Sequence, residues 1–102
     1  MGIEYHVSSG SNRAEVDSLY VGEIRDYAFN YVAPETKLGS TVEASIWTAS
    51  DAKATITNTE TASPTTSCRV TAVSEGIVLV KCAATMVDGQ KVNKYLRLTI
   101  IE

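Results

Sequence analysis

The chain has 102 residues, a length that accommodates one domain with a single hydrophobic core. Apolar residues make up 44% and charged residues 21%, and the formal net charge is −3. This acidic balance argues against a protein that binds nucleic acid regardless of sequence, because such proteins carry a basic excess. The longest uncharged apolar run, Gly76 to Val80, is too short to cross a bilayer. We therefore expect neither a nucleic-acid partner nor a membrane partner.

The N-terminal stretch contains a run of Ser, Gly and Asn from Ser8 to Asn12. Such a run is typical of a flexible segment. We therefore predict a flexible N-terminal arm, residues 1–13, followed by one domain, residues 14–102. The first residues lack the charged segment and following apolar segment of a secretory signal peptide, so we expect no such signal here.

Period-two alternation of apolar and polar residues predicts seven short strands separated by turn residues. No window of eleven or more residues has the spacing of an amphipathic helix. The predicted strands cover Glu15–Val21, Glu23–Val32, Ser40–Thr48, Ala54–Asn58, Ser67–Val73, Ile77–Met86 and Lys94–Ile101. Seven strands in about a hundred residues are typical of an immunoglobulin-like sandwich of two sheets. The predicted fold class is therefore all-β.

The connections between these strands carry their own signals. Pro34 and Gly39 bound a predicted loop over Ala33–Gly39. The stretch Thr59–Thr66 reads as an exposed loop or weak edge, because Pro64 cannot donate to a strand ladder. Asp88-Gly89 predicts a hairpin, since both residues tolerate the positive φ of a type I′ turn.

The alternation of its strand does not by itself place Trp47 on the apolar face. In its strand, Val42, Ala44 and Ile46 alternate with Glu43, Ser45 and Trp47, so the valine and the tryptophan fall on opposite faces. A single Trp on the third strand of a sandwich usually fills the core. We therefore expect Trp47 to point inward and a bulge to reconcile the two faces.

Cys68 and Cys82 flank the Ser74-Glu75-Gly76 turn at similar distances. If their strands form a direct hairpin the thiols lie opposite each other, and in an immunoglobulin-like fold they face each other across the core. Either arrangement could permit a disulfide. Free Cys is a common buried small hydrophobe, however, and without an export signal the compartment of synthesis is reducing. We predict two buried thiols.

Catalysis has little support in the sequence. The one histidine, His6, lies in the predicted arm, whereas a nucleophilic site needs its histidine held by packing. No phosphate-binding glycine loop, HExxH motif or EF-hand loop occurs. We therefore predict a protein that is not an enzyme, with no catalytic residue, no cofactor-binding residue, no metal ligand and no cofactor.

The segment from Tyr27 to Glu102 resembles small immunoglobulin-like virion proteins of tailed bacteriophages. The shared pattern runs from Leu38-Gly39-Ser40-Thr41-Val42 to Ser45-Ile46-Trp47-Thr48, and continues through Thr55-Ile56-Thr57-Asn58. An apolar strand behind Gly76, the Asp88-Gly89 turn and the terminal strand from Tyr95 to Ile101 complete it.

This resemblance implies a bacteriophage virion structural protein. The expected role is capsid decoration, with binding to the assembled head lattice, and the expected partner is the major capsid protein or another virion protein. The implied localisation is the virion, made in the host bacterial cytoplasm, and a homo-oligomer is possible. The residues 1–13 are then the candidate docking element, because a flexible polar segment can order on a partner.

Three alternatives remain open from the sequence. The first places the protein at the neck, the tail surface or a fibre attachment. The second is a carbohydrate-binding adhesion module that uses Tyr20, Tyr31 or Trp47 as an aromatic platform. The third, a small enzyme or an enzyme inhibitor, rests only on the exposed loops.

Overall fold

The computed structural model describes residues 2–9 and 13–102, which form a sandwich of two four-stranded sheets. The predicted all-β, immunoglobulin-like class is confirmed, with eight strands where about seven were expected. The strands are β1 (Ile3–His6), β2 (Glu15–Tyr20), β3 (Ile24–Asn30), β4 (Val42–Ala49), β5 (Ala54–Ala62), β6 (Thr65–Ala72), β7 (Gly76–Met86) and β8 (Lys91–Ile101). The helix α1 (Val32–Leu38) connects β3 to β4.

The two sheets have different strand orders. Sheet A runs β1-β3-β6-β5 and sheet B runs β2-β8-β7-β4. Most neighbours are antiparallel, but β1 lies parallel to β3 and β2 lies parallel to β8. The chain therefore contributes its first strand to one sheet and its second to the other, so that each closes an edge of the sandwich.

The core lies between the sheets and follows the predicted alternation. In β3 the aromatic side chains point inward, as do alternate residues of β7 and β8. Phe29 stacks on Trp47 from the opposite sheet, with ring centroids 4.9 Å apart and planes 15° from parallel. The inward residues of β7 and β8 include Val78, Val80, Cys82, Ala84, Met86, Leu96, Leu98 and Ile100.

Strand β1 departs from the prediction of a flexible segment. Ile3 to His6 pair with Tyr27 to Asn30, and Val7 behind them is buried and donates its backbone N–H to Asn30 O at 2.8 Å. Four residues are too few to show a convincing alternation, and the strand forms because β3 offers it an edge. Met1 and the residues Gly10 to Asn12 of the predicted arm lie outside the described residues, and the division of the chain at Arg13 stays a prediction.

The predicted loop over Ala33–Gly39 is instead helical. Asn30 Oδ1 accepts the N–H of Val32 at 2.9 Å, and Pro34 sits in the first turn, where its missing N–H costs nothing. Gly39 ends the helix with φ at 65°, and its N–H donates to Glu35 O at 3.0 Å. Seven residues span two turns, too short a stretch for a helical period to show in the sequence. Within the described residues, no helix is long and apolar enough to span a membrane.

A bulge resolves the parity of Trp47, as predicted. The pairing of β4 with β7 shifts between Val42 and Ala44, so that both Val42 and Trp47 point into the core. A second shift lies in β5 between Thr57 and Glu60, where Asn58 has a φ of 53°. Strand β5 continues past Asn58 to Ala62, so the first half of the stretch Thr59–Thr66 is an edge strand, one of the two predicted alternatives, and its last two residues begin the inner strand β6.

Candidate functional site

Strand directions gather three connections at one end of the sandwich, which we call the loop end. These are α1 with residues 39–41, the β5–β6 turn at Ser63-Pro64 and the β7–β8 turn over residues 87–90. In an immunoglobulin-like sandwich, such loops at one end form a common binding surface. The other end carries the β2–β3, β4–β5 and β6–β7 turns.

Glu35 ties two of these connections together. Its Oε2 accepts a hydrogen bond from the Ser63 hydroxyl at 2.7 Å and another from the backbone N–H of Val42 at 2.8 Å. One carboxylate on α1 therefore holds both the β5–β6 turn and the start of β4. Hydrogen bonds to an ionised acceptor are among the stronger ones, so this contact fixes the relative position of the two connections.

Backbone and hydroxyl contacts extend the brace to the β7–β8 turn. The N–H of Val87 donates to Thr41 O at 2.8 Å, and the N–H of Asp88 donates to Ser40 Oγ at 3.3 Å. On the other side, the N–H of Tyr31 donates to Pro64 O at 2.7 Å. All three connections are thus linked, and the loop end is organised before any partner binds.

The β7–β8 turn is longer than the predicted two-residue hairpin. The N–H of Gly89 donates to Met86 O at 2.9 Å, which makes Val87 and Asp88 the central residues, and Gly89 follows with φ at 93°. The expected type I′ turn would instead centre on Asp88 and Gly89. The Asp88 side chain accepts the N–H of Gln90 at 3.1 Å and further restrains the tip.

Two apolar side chains project from this braced end. Val87 at the tip of the β7–β8 turn is 62% exposed, and Val32 at the start of α1 is 48% exposed. Lys37 on α1 donates to Ser9 O at 2.9 Å, which attaches the helix to the chain that follows β1. Exposed apolar groups on a rigid support are typical of protein-binding surfaces, because little conformational entropy is lost on binding.

The predicted aromatic platform does not form. Tyr31 is fully buried and Trp47 is only 7% exposed, so that Tyr20 alone reaches the surface. The reason is the alternation of β3 and the bulge of β4, which both direct rings into the core. His6 ends β1 opposite Asn30, at the same end of the sandwich as α1, but its side chain is exposed and its ion-pair contact there is Glu4, at 3.6 Å.

The two cysteines are free and buried, as predicted. Strand β6 belongs to sheet A and β7 to sheet B, so Cys68 and Cys82 face the core from opposite sheets. Burial, together with the neighbouring Cys82 and Asp26, raises the pKa of Cys68 to about 12. Burial also raises the pKa of Cys82, which lies 3.2 Å from the Thr66 hydroxyl. Neither thiol is suited to act as a nucleophile.

The fold is similar to that of two solved structures over almost the whole chain. One is the cysteine protease inhibitor EhICP2 from Entamoeba histolytica, at 8% identity and a TM-score of 0.57, covering 96% of this chain and 95% of the inhibitor. The other is PbICP-C, solved in complex with falcipain-2, at 11% identity and a TM-score of 0.56, covering 97% and 99% of the two chains. These structural neighbours are protease inhibitors and not enzymes.

Sequence comparison adds no further relative. No protein-family model matches the chain. No curated protein matches it.

The structural neighbours overturn the interpretation of the chain as a bacteriophage virion protein. The expected resemblance, the capsid-decoration role and the capsid partner are wrong, since the similar folds belong to cysteine protease inhibitors, one of them bound to falcipain-2. The carbohydrate-binding alternative is wrong on the same ground. The misleading signals were an Ile-Trp-Thr strand and a glycine turn, which reflect sandwich architecture common to many functions.

Proposed function

We propose that this chain is a non-enzymatic protein inhibitor of a cysteine protease and that it contacts the protease with its loop end. The observation that carries the proposal is the braced set of three connections centred on Glu35, whose carboxylate accepts hydrogen bonds from Ser63 and Val42. The similarity of the fold to two inhibitors, over nearly the full length of each chain, supports the choice of target class.

Rigidity is the property that suits the loop end to this role. A protease binds a substrate as an extended strand, whereas the three connections are a helix and two tight turns. A turn that occupies the cleft without adopting an extended backbone does not present a peptide bond in the geometry that the protease cleaves. The hydrogen bonds between the connections also lower the entropic cost of association.

The contact would be noncovalent. Cys68 and Cys82 are buried thiols with raised pKa values, so neither is accessible to form a covalent bond with the catalytic cysteine of a protease. Binding then depends on burying the exposed Val87 and Val32 against the walls of the cleft. Apolar side chains at the centre of an interface, shielded from water, carry much of the affinity of such complexes.

The test is a steady-state inhibition assay against falcipain-2 and papain with a fluorogenic peptide substrate. We expect the wild-type protein to inhibit at least one of them and to remain intact by mass spectrometry afterwards. Val87→Asp should raise the inhibition constant about tenfold or more, since a carboxylate would be desolvated at the contact. Ser63→Ala, which removes one arm of the Glu35 brace, should weaken inhibition chiefly through faster dissociation.

Ile46→Asp is the matched control. Ile46 is as exposed as Val87 but lies on the outer face of sheet B, so the same substitution there should leave inhibition unchanged. A lack of inhibition of both proteases at large molar excess, or an equal loss for Ile46→Asp and Val87→Asp, would contradict the proposal.

A further inference from the structure

The outer face of sheet B carries a second exposed surface, separate from the loop end. Alternate residues of β2, β8 and β7 point outward there, and the exposed large side chains lie on adjacent strands. We call this set the β8 patch; it comprises Val16, Tyr20, Ile77, Leu79, Arg97 and Ile101. Val16 and Tyr20, on the edge strand β2, are 65% and 64% exposed, and together with Ile77, Leu79 and Ile101 they form a contiguous exposed apolar surface.

Register places one cation at the centre of this patch. Arg97 on β8 lies directly opposite Val16 on one side and Leu79 on the other. Directly paired residues on one face have Cβ atoms about 5 Å apart, so the Arg97 side chain leaves the sheet between two exposed apolar residues. Lys81 lies one row further toward the loop end, on β7, paired with Tyr95.

The charge on this face has a single sign. The outward side chains of β2, β7 and β8 are apolar, hydroxyl, amide or cationic, and none is a carboxylate. Within residues 2–9 and 13–102, neither Arg97 nor Lys81 has a carboxylate partner. Arg25, Arg69 and Lys53, by contrast, each form an ion pair. An unpaired cation at the centre of an apolar surface is unusual in a chain of net charge −3.

We infer that the β8 patch binds a protein segment that carries apolar side chains around an acidic residue, with the carboxylate received by Arg97. The argument is charge complementarity: a carboxylate would form a bidentate pair with the guanidinium while its apolar neighbours cover Val16 and Leu79. Arg and Tyr are also enriched at the centres of protein interfaces.

A second copy of this chain fits the patch poorly. Two patches related by a two-fold axis would bring both copies of Arg97 and Lys81 together on faces without a carboxylate. Desolvating like charges at the centre of an interface opposes association. The acidic group must therefore come from a different surface, and the inference does not depend on the inhibitor proposal.

The experiment selects peptides from a displayed random library on the immobilised full chain. Selected peptides should be enriched in Asp or Glu next to Leu, Ile or Phe. Their affinity should fall about tenfold or more for Arg97→Glu. Leu79→Glu should have a similar effect, because the new carboxylate would pair with Arg97 within the chain.

Ile46→Glu is the matched control, since it places the same charge on the same outer face, on β4, without a register partner at Arg97. Peptide binding should survive in Ile46→Glu and in Arg97→Lys to a greater extent than in Arg97→Glu. Selection without acidic enrichment, no selection at all, or equal binding to every variant would overturn the inference. A concentration-dependent dimer that Leu79→Glu abolishes would also overturn it, since the occupant would then be a second copy. Protease inhibition by the same variants is measured separately. Failure of peptide binding at the β8 patch can therefore be told apart from failure of the inhibitor proposal.

Discussion

The Tyr27 hydroxyl donates a hydrogen bond to Asp17 Oδ2 at 2.7 Å and so joins strand β3 of sheet A to strand β2 of sheet B. Arg25 Nη1 donates to the same oxygen at 2.8 Å and also contacts Glu23. The inward side of β2 holds Glu15, Asp17 and Leu19, of which only the leucine is apolar. This edge strand is therefore held to the sandwich largely by polar contacts.

Asp17→Asn should lower the free energy of unfolding by about 1–2 kcal/mol, because the amide replaces a charged acceptor with a neutral one. Urea denaturation followed by circular dichroism measures the change. Asp26→Asn is the comparison, since its pair with Arg69 is on the exposed face of sheet A, and it should cost less. Equal effects of the two substitutions would argue against a special role for the contact between the sheets.

Acid should weaken the hydrogen bonds that the Asp17 carboxylate accepts from Tyr27 and Arg25. Burial favours the neutral form of Asp17, but the hydrogen bonds from Tyr27 and Arg25 outweigh it, and the pKa of this carboxyl lies below its usual value of 3.8. The unfolded state therefore takes up the proton first, so the stabilisation is complete above about pH 4 and is lost as the pH falls through the folded-state pKa.

Unfolding free energies of the wild type and Asp17→Asn, measured between about pH 2.5 and pH 7, should show this loss. The difference between the two proteins is expected to shrink below about pH 4. A difference that stays constant over this range would show that the ionised carboxylate is not what stabilises the fold.

The thiols of Cys68 and Cys82 should be unreactive in the folded protein. Both are buried, and the pKa of Cys68 is raised to about 12. We expect an aromatic disulfide reagent to modify both only after denaturation, and a reductant to leave the melting temperature unchanged. Rapid modification under native conditions would mean that the core opens at these strands.

Val80 and Leu79 are neighbours on β7 that point to opposite faces. Val80→Asp would bury a carboxylate without a partner, which costs several kcal/mol, and a domain of this size has only about 5–15 kcal/mol of stability. We expect Val80→Asp to be unfolded or insoluble. Leu79→Asp should remain soluble, with a melting temperature close to that of the wild type, and the reverse pattern would mean that the strand faces the other way.

Substitutions of Gly39 test whether the left-handed backbone conformation that ends α1 requires glycine. Its φ of 65° suits glycine, and a Cβ there would meet no other group within 4 Å, so the cost of substitution is conformational. Gly39→Ala should lower the free energy of unfolding by about 1 kcal/mol, and Gly39→Asn should cost less because asparagine tolerates the left-handed region. Thermal denaturation compares the two, and an equal or larger loss for Asn would contradict a purely conformational origin.

Local pattern was sufficient to predict most of the sheets. Strands β3, β7 and β8 alternate strongly enough that the inward positions of Tyr27, Val80 and Leu98 could be read from the chain, because period-two alternation depends only on neighbouring residues. The inward Trp47 and its bulge were also predictable, since a lone Trp on a third strand is best placed in the core. The burial of both thiols followed from the same alternation.

Other features depended on contacts between distant parts of the chain. Strand β1 is stable because β3 provides an edge, and α1 is a short helix held by Asn30 and Gly39, so neither has a periodic signature of its own. The brace at the loop end joins Glu35 to Ser63, 28 positions away, and the β8 patch places Val16 beside Arg97. Alternation determines which face a residue occupies. Only the tertiary structure decides which distant residues share that face, because pairing and sheet order arise from long-range packing.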